Sequence, residues 1–399
     1  MKTKFRWGGW LGVLVLSVVF LGSVFVQGSW AEEECAVMHP DLDTLQEWIY
    51  DYETAPEAYI DPEINFKLMA AADGDVGGVG PVPNLLDHIT YTPSERNQGS
   101  CGNCWVWAGT GIMEINHSYE LGVKDRLSIQ YLDSCRTGWA CCGGNLTGFA
   151  NWYNTTVNRA IPWSNTYAHF QDGSRRCSDG SSLRSCGSIS KAPDHDIGTV
   201  QAHTINTTGV TQSTAINNIK NILHQHRGVW YAFWLADDAD WSAFRNFWNG
   251  QPASAIWDPD PYNGHTWVDN QGGGHAVLIV GYNDDDANPA NHYWIVLNSW
   301  GTAGGDRPNG LFRLKMNIDY KGVINEPGVG PFYSQQFMTL DAGGPSTYPL
   351  GSIFDNDNRQ YMVVKGGDNQ IYYRSRRYNA SHFIWTNWQA LGGSTSHQP

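Results

Sequence analysis

The sequence predicts an α+β chain, and three observations predict it. Helical spacing dominates residues 104–160, where Trp105, Ala108, Ile112, Ile115 and Tyr119 recur at intervals of three and four. Strand-like apolar runs occupy 228–235, 275–282, 292–297 and 310–316. Two further short strands are expected at 361–364 and 370–374, near the end of the chain. With 399 residues, 41% of them hydrophobic, two domains or one large domain with appendages are expected. A net charge of −14 argues against nucleic acid or an anionic membrane surface as partner.

Residues 1–31 read as a signal peptide. Lys2, Lys4 and Arg6 precede an apolar run from Trp10 to Val26, and Ser29-Trp30-Ala31 is a small-x-small cleavage site. An uncleaved anchor is the weaker alternative, because the run barely reaches spanning length. No stable membrane insertion is expected after cleavage. Cys35 follows Glu34 and not the small residues of a lipoprotein site, so no lipidation is expected. Export, whether extracellular or periplasmic, implies an oxidising compartment. The eight cysteines then read as bridges plus a free thiol.

Residues 32–82 read as a leader. Leu42, Leu45, Trp48 and Ile49 form a short amphipathic stripe, with Asp43 and Gln46 as a capping box and Pro56 as its limit. The stretch 73–80, glycine-rich and acidic, is a proteolysis-prone linker, so removal of the leader is expected near Gly80–Pro83.

From Pro83 onward the chemistry accumulates. Cys104 opens the predicted helix, which Gly122 stops. Unpaired N–H groups and the dipole at a helix N-terminus favour a thiolate, the reactive form of cysteine. By itself the thiol is equally compatible with one more half-cystine. Gln98 lies six residues earlier, where its amide and the Cys104 N–H could bind an oxyanion together. Ser128 and Gln130 precede Cys135, and Cys141-Cys142-Gly143-Gly144 permits close approach of an extended peptide backbone. Gly272-Gly273-Gly274-His275 enters a buried strand, which places an imidazole at a strand mouth. A second strand, 292–297, ends in Asn298-Ser299-Trp300-Gly301; the Asn298 amide could fix the ring and Trp300 shield it. His265 is the rival base, but it lacks a strand behind it.

Gln98, Cys101-Gly102-Asn103-Cys104-Trp105, Ser128-x-Gln130, Cys-x-Gly-Gly, Gly-His275-Ala276 and Asn298-Ser299-Trp300-Gly301 together resemble the papain family of cysteine proteases, over roughly residues 83–340. The resemblance implies two lobes, one helical and one a partly closed antiparallel sheet, with a cleft between. It implies Cys104 as nucleophile, His275 as general base and acid, Asn298 as the residue orienting the imidazole, and Gln98 as oxyanion donor. Trp300 would cover the His–Asn contact, and Gly143 and Gly144 would bind substrate backbone. Leu146, Ala232 and Gly273 would line an apolar pocket for the second residue before the scissile bond. No metal or cofactor is implied, and the partner is a polypeptide substrate.

Departures accompany the likeness. Asn103 stands where Ser or Ala is usual, and His275 follows Cys104 by 171 residues (275 − 104) because of an insertion around 245–270. Asp284–Asn291 lengthens a hairpin, whose three aspartates read as a solvated turn before a cation site. No indole follows Gly301 within Gly301-Thr302-Ala303-Gly304-Gly305, and the leader is short for the family. The resemblance implies bridges Cys101–Cys141 and Cys135–Cys177. Cys142–Cys186 is a guess outside the pattern, and Cys35 is left over.

Residues 343–399 differ from the rest. Gly343–Thr347 opens a linker, and strands flank the turn at Gly366-Gly367-Asp368-Asn369. With Trp385, Trp388 and Leu391-Gly392-Gly393, the stretch resembles one repeat of secreted lectin-like β-propellers, which implies a glycan or cell-surface ligand. A hairpin extension shielding an apolar patch is the alternative. The function expected is a secreted cysteine endopeptidase acting through a Cys104 thioester. A transamidase or ligase on the same fold, or an inactive binding protein, are the alternatives.

Overall fold

The computed structural model describes residues 36–72, 83–155, 158–342 and five strands between 348 and 394. The expected signal peptide, Cys35, the 73–80 linker, the 343–347 linker, the 366–369 turn and Trp388 lie outside the described residues. The described part joins helices and sheet as an α+β fold of two lobes, without a closed barrel.

Two helices precede the first motif. Helix α1 (Leu42–Thr54) is capped by Asp41, whose carboxylate accepts from the Thr44 N–H at 2.8 Å. The cap therefore lies two residues before the expected Asp43, and the helix stops before Pro56. Helix α2 (Pro62–Ala72) was not anticipated, although its start is legible: Asp61 Oδ1 accepts from the N–H groups of Glu63 and Ile64, and Pro62 fills the first turn.

The helical lobe follows. Helix α3 (Cys104–Leu121) ends at Gly122, whose φ of 67° only glycine adopts freely. Its expected stripe holds from Trp105 to Ile115, but Tyr119 is 50% exposed and stacks on His226. The helix is in fact buried on all sides along most of its length, because the sheet takes one side and two further helices the other. Those are α4 (Ile129–Cys135), capped by Ser128, and α5 (Leu146–Thr155). A two-residue pair, β1 (Arg159–Ala160) with β2 (His195–Asp196), closes this lobe.

The β lobe is a seven-stranded sheet. Its strands are β3 (Val200–Thr204), β4 (Val229–Leu235), β5 (Ile256–Trp257), β6 (Gly273–Asn283), β7 (Tyr293–Leu297), β8 (Leu311–Lys315) and β11 (Gln335–Ala342), with a separate hairpin of β9 (Val323–Glu326) and β10 (Gly330–Tyr333). The order is β3-β11-β4-β6-β7-β8-β5, antiparallel throughout except for β5 beside β8. Its edge strands, β3 and β5, are not paired with one another, so the sheet does not close into a barrel. β4 is buried on both faces, as its unbroken run Val-Trp-Tyr-Ala-Phe-Trp-Leu requires. Helices α6 (Gln212–His224) and α7 (Asp238–Gly250) flank β4 in sequence, capped by Thr211 and Asp237.

Two expected disulfides are corrected. Cys101–Cys141 forms, but Cys135 pairs with Cys186 and Cys142 with Cys177. Cys141 and Cys142 share one 3-10 turn. The first is buried and turns inward to Cys101, while the second turns out to the Cys177–Asp179 turn packed beside it. Cys135 ends α4 against the Cys186–Ser188 turn. Adjacent cysteines leave both pairings open in a sequence. Packing decides between them.

At the C-terminus, β12 (Tyr348–Phe354), β13 (Arg359–Lys365), β14 (Gln370–Asn379), β15 (His382–Trp385) and β16 (Gln389–Ser394) form an antiparallel sheet. Both strands expected there are present, as β13 and β14.

Candidate active site

The loops from the two lobes clasp one another beneath a cleft. Gln98 N–H donates to Ser299 O at 2.8 Å, Ser299 Oγ donates to Gln98 Oε1 at 2.6 Å, and Gly301 N–H donates to Arg96 O at 3.0 Å. Cys104 lies at the first residue of α3, fully buried, and is the free thiol among the described residues. The N–H of Ala276 points at its sulfur, 3.4 Å away. His275, the residue before Ala276, therefore stands beside the thiol, although 171 residues of chain separate them.

The imidazole has one available tautomer. Its Nε2 lies 2.8 Å from Asn298 Oδ1, and the same oxygen also accepts from Ser299 N–H at 2.8 Å. An amide oxygen only accepts, so Nε2 carries the hydrogen and Nδ1 is left as a bare base. Nδ1 is buried and has no hydrogen-bond partner. Trp300 covers the ring face at 4.4 Å and 28°, while Phe233 meets it edge-on at 5.7 Å. His265, the rival, is instead held by Asp240 at 3.0 Å.

Residues before Pro83 fill the cleft. Met38 N–H donates to Gly274 O at 2.8 Å and Gly274 N–H returns a bond to Met38 O at 2.9 Å. Gln98 Nε2 donates to Ala36 O at 3.0 Å as well as to Cys101 O at 2.8 Å. The Gly143 backbone has φ 101°, and a Cβ there would lie 2.6 Å from the Trp48 ring and 3.1 Å from Met38 Cβ. Gly273 likewise faces Val37, Met38 and His39. The structure thus brings Gly143 and Gly273 together around Met38. Leu146, in the first turn of α5, and Ala232, opposite Ala276 on β4, are fully buried.

Burial sets the protonation of the pair. It pushes the Cys104 thiol up to about 12, against the N–H groups of Ala276, Trp105 and Cys104 itself and the Gln98 side chain, which all favour the thiolate. It pushes His275 down to about 4, against the Asn298 hydrogen bond and with the help of the Arg245 charge. Both groups are therefore neutral here, the thiol and the imidazole alike.

Several supporting contacts escaped the sequence reading. Asn103 is anchored by Nδ2 donating to buried Asp133 at 2.8 Å, which ties the Cys104 loop to α4. Burial and the Asp172 charge hold the Asp133 carboxyl well above its usual range. Phe244 and Trp248 of α7 pack edge-on against Trp300 at 5.4 and 6.3 Å. Arg307, 1% exposed, ties down the end of α7 by donating to Trp248 O and Phe247 O, each at 2.8 Å. The α7 helix could have been read from Asp237 and the spacing of Trp241, Phe244 and Trp248. Its contact with Trp300 leaves no trace in the local pattern.

A sequence profile described as the papain family cysteine protease matches residues 86–331. The chain belongs to that family. It is a cysteine peptidase, a hydrolase of peptide bonds, as its homologues' names agree. It is 27% identical over 252 residues to "Cathepsin B-like CP3" of Giardia intestinalis, covering 60% of this chain and 70% of that one. Identity to "Cysteine proteinase 2" of Zea mays is 28% over 229 residues, with 57% and 53% covered. The chain therefore spans about half of that papain-family relative. Among solved structures, bromelain from Ananas comosus in complex with the E64 inhibitor matches at 18% identity and TM-score 0.41, covering 65% of this chain and 98% of that one. "proCathepsin B S9" from Trypanosoma congolense matches at 14% and 0.45, covering 77% and 87%.

Proposed function

We propose that the protein is a secreted cysteine endopeptidase made as a precursor, with Cys104 as nucleophile, His275 as base and acid, Asn298 as orienting group and Gln98 as oxyanion donor. One observation supports this reading: the Asn298 bond leaves His275 Nδ1 unprotonated, on a residue whose neighbour Ala276 points its N–H at the Cys104 sulfur. In the reaction the Cys104 proton passes to His275 Nδ1 and the sulfur attacks the amide carbon. The oxyanion accepts from the Cys104 N–H and from Gln98 Nε2. Collapse breaks the C–N bond as His275 returns its proton to the leaving amine. Water, deprotonated by His275, then hydrolyses the thioester and restores the thiol.

Residues 32–82 act as the inhibitory leader. The family's substrates place residues before the scissile bond over Gly143 and Gly273, yet here the earlier residue, Ala36, lies at Gln98 and the later one, Met38, at the glycines. The chain runs backwards through the cleft, so its carbonyl occupies the oxyanion donor without presenting a bond to Cys104. Residues 1–31 direct export. The 343–399 sheet serves as a single blade-like unit that holds a glycan or cell-surface ligand and is dispensable for cleavage of small peptides.

Mass spectrometry of the secreted protein, with and without a thiol-reactive peptide-like inhibitor, tests the reading. Active enzyme is expected to begin near Pro81–Leu85 and to carry the inhibitor on Cys104. Active enzyme still beginning at Glu32 would defeat the leader assignment.

A further inference from the structure

The α1 helix does more than hold Met38 in place. Leu45, fully buried, joins Trp234, Ala236, Trp267, Ile324 and Phe332 in an apolar cluster separate from the main core, with Trp48 and Ile49 packed on it. The three rings beneath α1 touch one another: Trp234 to Trp267 at 6.2 Å, Trp234 to Phe332 at 5.7 Å and Trp267 to Phe332 at 5.9 Å. Trp48 lies on Trp234 at 6.2 Å. Trp267 comes from the insertion that separates this chain from the family spacing.

This cluster is continuous with the cleft. A Cβ on Gly274, the residue before His275, would lie 2.7 Å from the Trp234 ring, and one on Gly272 would lie 2.6 Å from Trp267. Trp48 spans from Trp234 to Gly143 on the opposite wall. Trp234 Nε1 is buried and has no hydrogen-bond partner among the described residues, so the platform also holds an unused donor. Departure of α1 would bare three adjoining aromatic rings and an isoleucine. An apolar patch of that kind marks a binding surface on a water-soluble protein.

We propose that in the processed enzyme Trp234, Trp267 and Phe332 form an extended subsite for polypeptide substrates. It would take large apolar or aromatic side chains on the N-terminal side of the scissile bond, beyond the residue that lies over Gly143 and Gly273. Leu45, Trp48 and Ile49 occupy it in the precursor with the same chemistry. The proposal rests on the leader reading above. It adds a selectivity that the pocket of Leu146, Ala232 and Gly273 does not supply.

The test uses processed full-chain enzyme whose N-terminus has been sequenced, and two quenched fluorescent peptides alike around the scissile bond. One carries Trp and Leu at the third to fifth residues before that bond; the other carries Ser and Gly there. Wild-type enzyme is expected to favour the apolar peptide by about tenfold in kcat/KM, mainly through KM. In Trp267→Ala the ratio of the two rates is expected to fall toward one, whatever happens to their common magnitude. Equal rates on the two peptides with wild-type enzyme overturn the proposal without reference to any variant's folding. So does a Trp267→Ala ratio that stays at the wild-type value. An active enzyme that retains residues before 73 fails the leader reading instead, and the sequencing step detects this before the peptides are compared.

Discussion

The two walls of the cleft are built by different means. On the helical wall, Cys104 and Gln98 are held by directed links: a helix N-terminus, the Cys101–Cys141 disulfide, and bonds from Gln98 Nε2 to Cys101 O and from Asn103 to Asp133. On the β wall, His275 is held by packing. Trp300 covers it, Phe244 and Trp248 hold Trp300, and Arg307 ties down the helix that carries them. The helical wall thus fixes its atoms by a covalent bridge and directed hydrogen bonds. The β wall depends on aromatic contacts across about fifty residues of chain.

The largest expected effects test the first wall. Cys104→Ala should lower peptide turnover by about 10⁴-fold or more, with the urea midpoint little changed. Gln98→Ala should cost about 10²-fold, because one oxyanion donor is lost while the nucleophile remains. Steady-state kinetics on processed enzyme decides both. Substantial turnover by Cys104→Ala would sink the assignment of the nucleophile.

Arg307→Met sharpens the contrast. It leaves the carbonyls of Phe247 and Trp248 without their charged donor, at a cost of about 3 kcal/mol in urea unfolding. If the β wall works by packing, turnover should fall about tenfold with it, as Trp300 loosens over His275. Stability lost with turnover intact would show that the Asn298 bond alone orients the ring.

This division also explains what the sequence disclosed. Gln98, Cys104, His275 and Asn298 sit in compact motifs, because each needs a particular backbone form beside it: a loop, a helix start, a strand mouth. Helix α3 and strands β4, β6, β7 and β8 followed from periodicity. The bonds of Arg307 and the contact of Trp248 with Trp300 gave no local signal, since the partners are distant in sequence. The Cys135 and Cys142 pairings failed for the same reason: which turn lies beside a cysteine is a tertiary fact. Helix α2 was missed despite its Asp-Pro start, because its exposed Phe66 and Met69 blur the apolar stripe.

The smallest expected effect compares one histidine from each wall. His117, on α3, is 3% exposed, has no hydrogen-bond partner on either ring nitrogen, and is lowered to about 4 by burial and by the nearby His195. His275 is lowered to about 4 by burial. In both, the folded protein prefers the neutral ring. Below pH 6.5 the unfolded chain binds the proton first, so stability falls as pH drops from 6.5 toward 4, by at most about 3 kcal/mol per ring. The two should part on processing. Loss of the leader lets water reach His275 and removes its share of the acid sensitivity, whereas His117 stays enclosed in the helical lobe. Thermal melts of precursor and processed enzyme between pH 7 and 4.5 should therefore differ in slope, and His117→Leu should flatten both by a similar amount. Identical slopes before and after processing would mean that the leader does not set the environment of His275, and an unchanged slope in His117→Leu would place the acid sensitivity elsewhere, with His224, also lowered to about 4, as the next residue to replace.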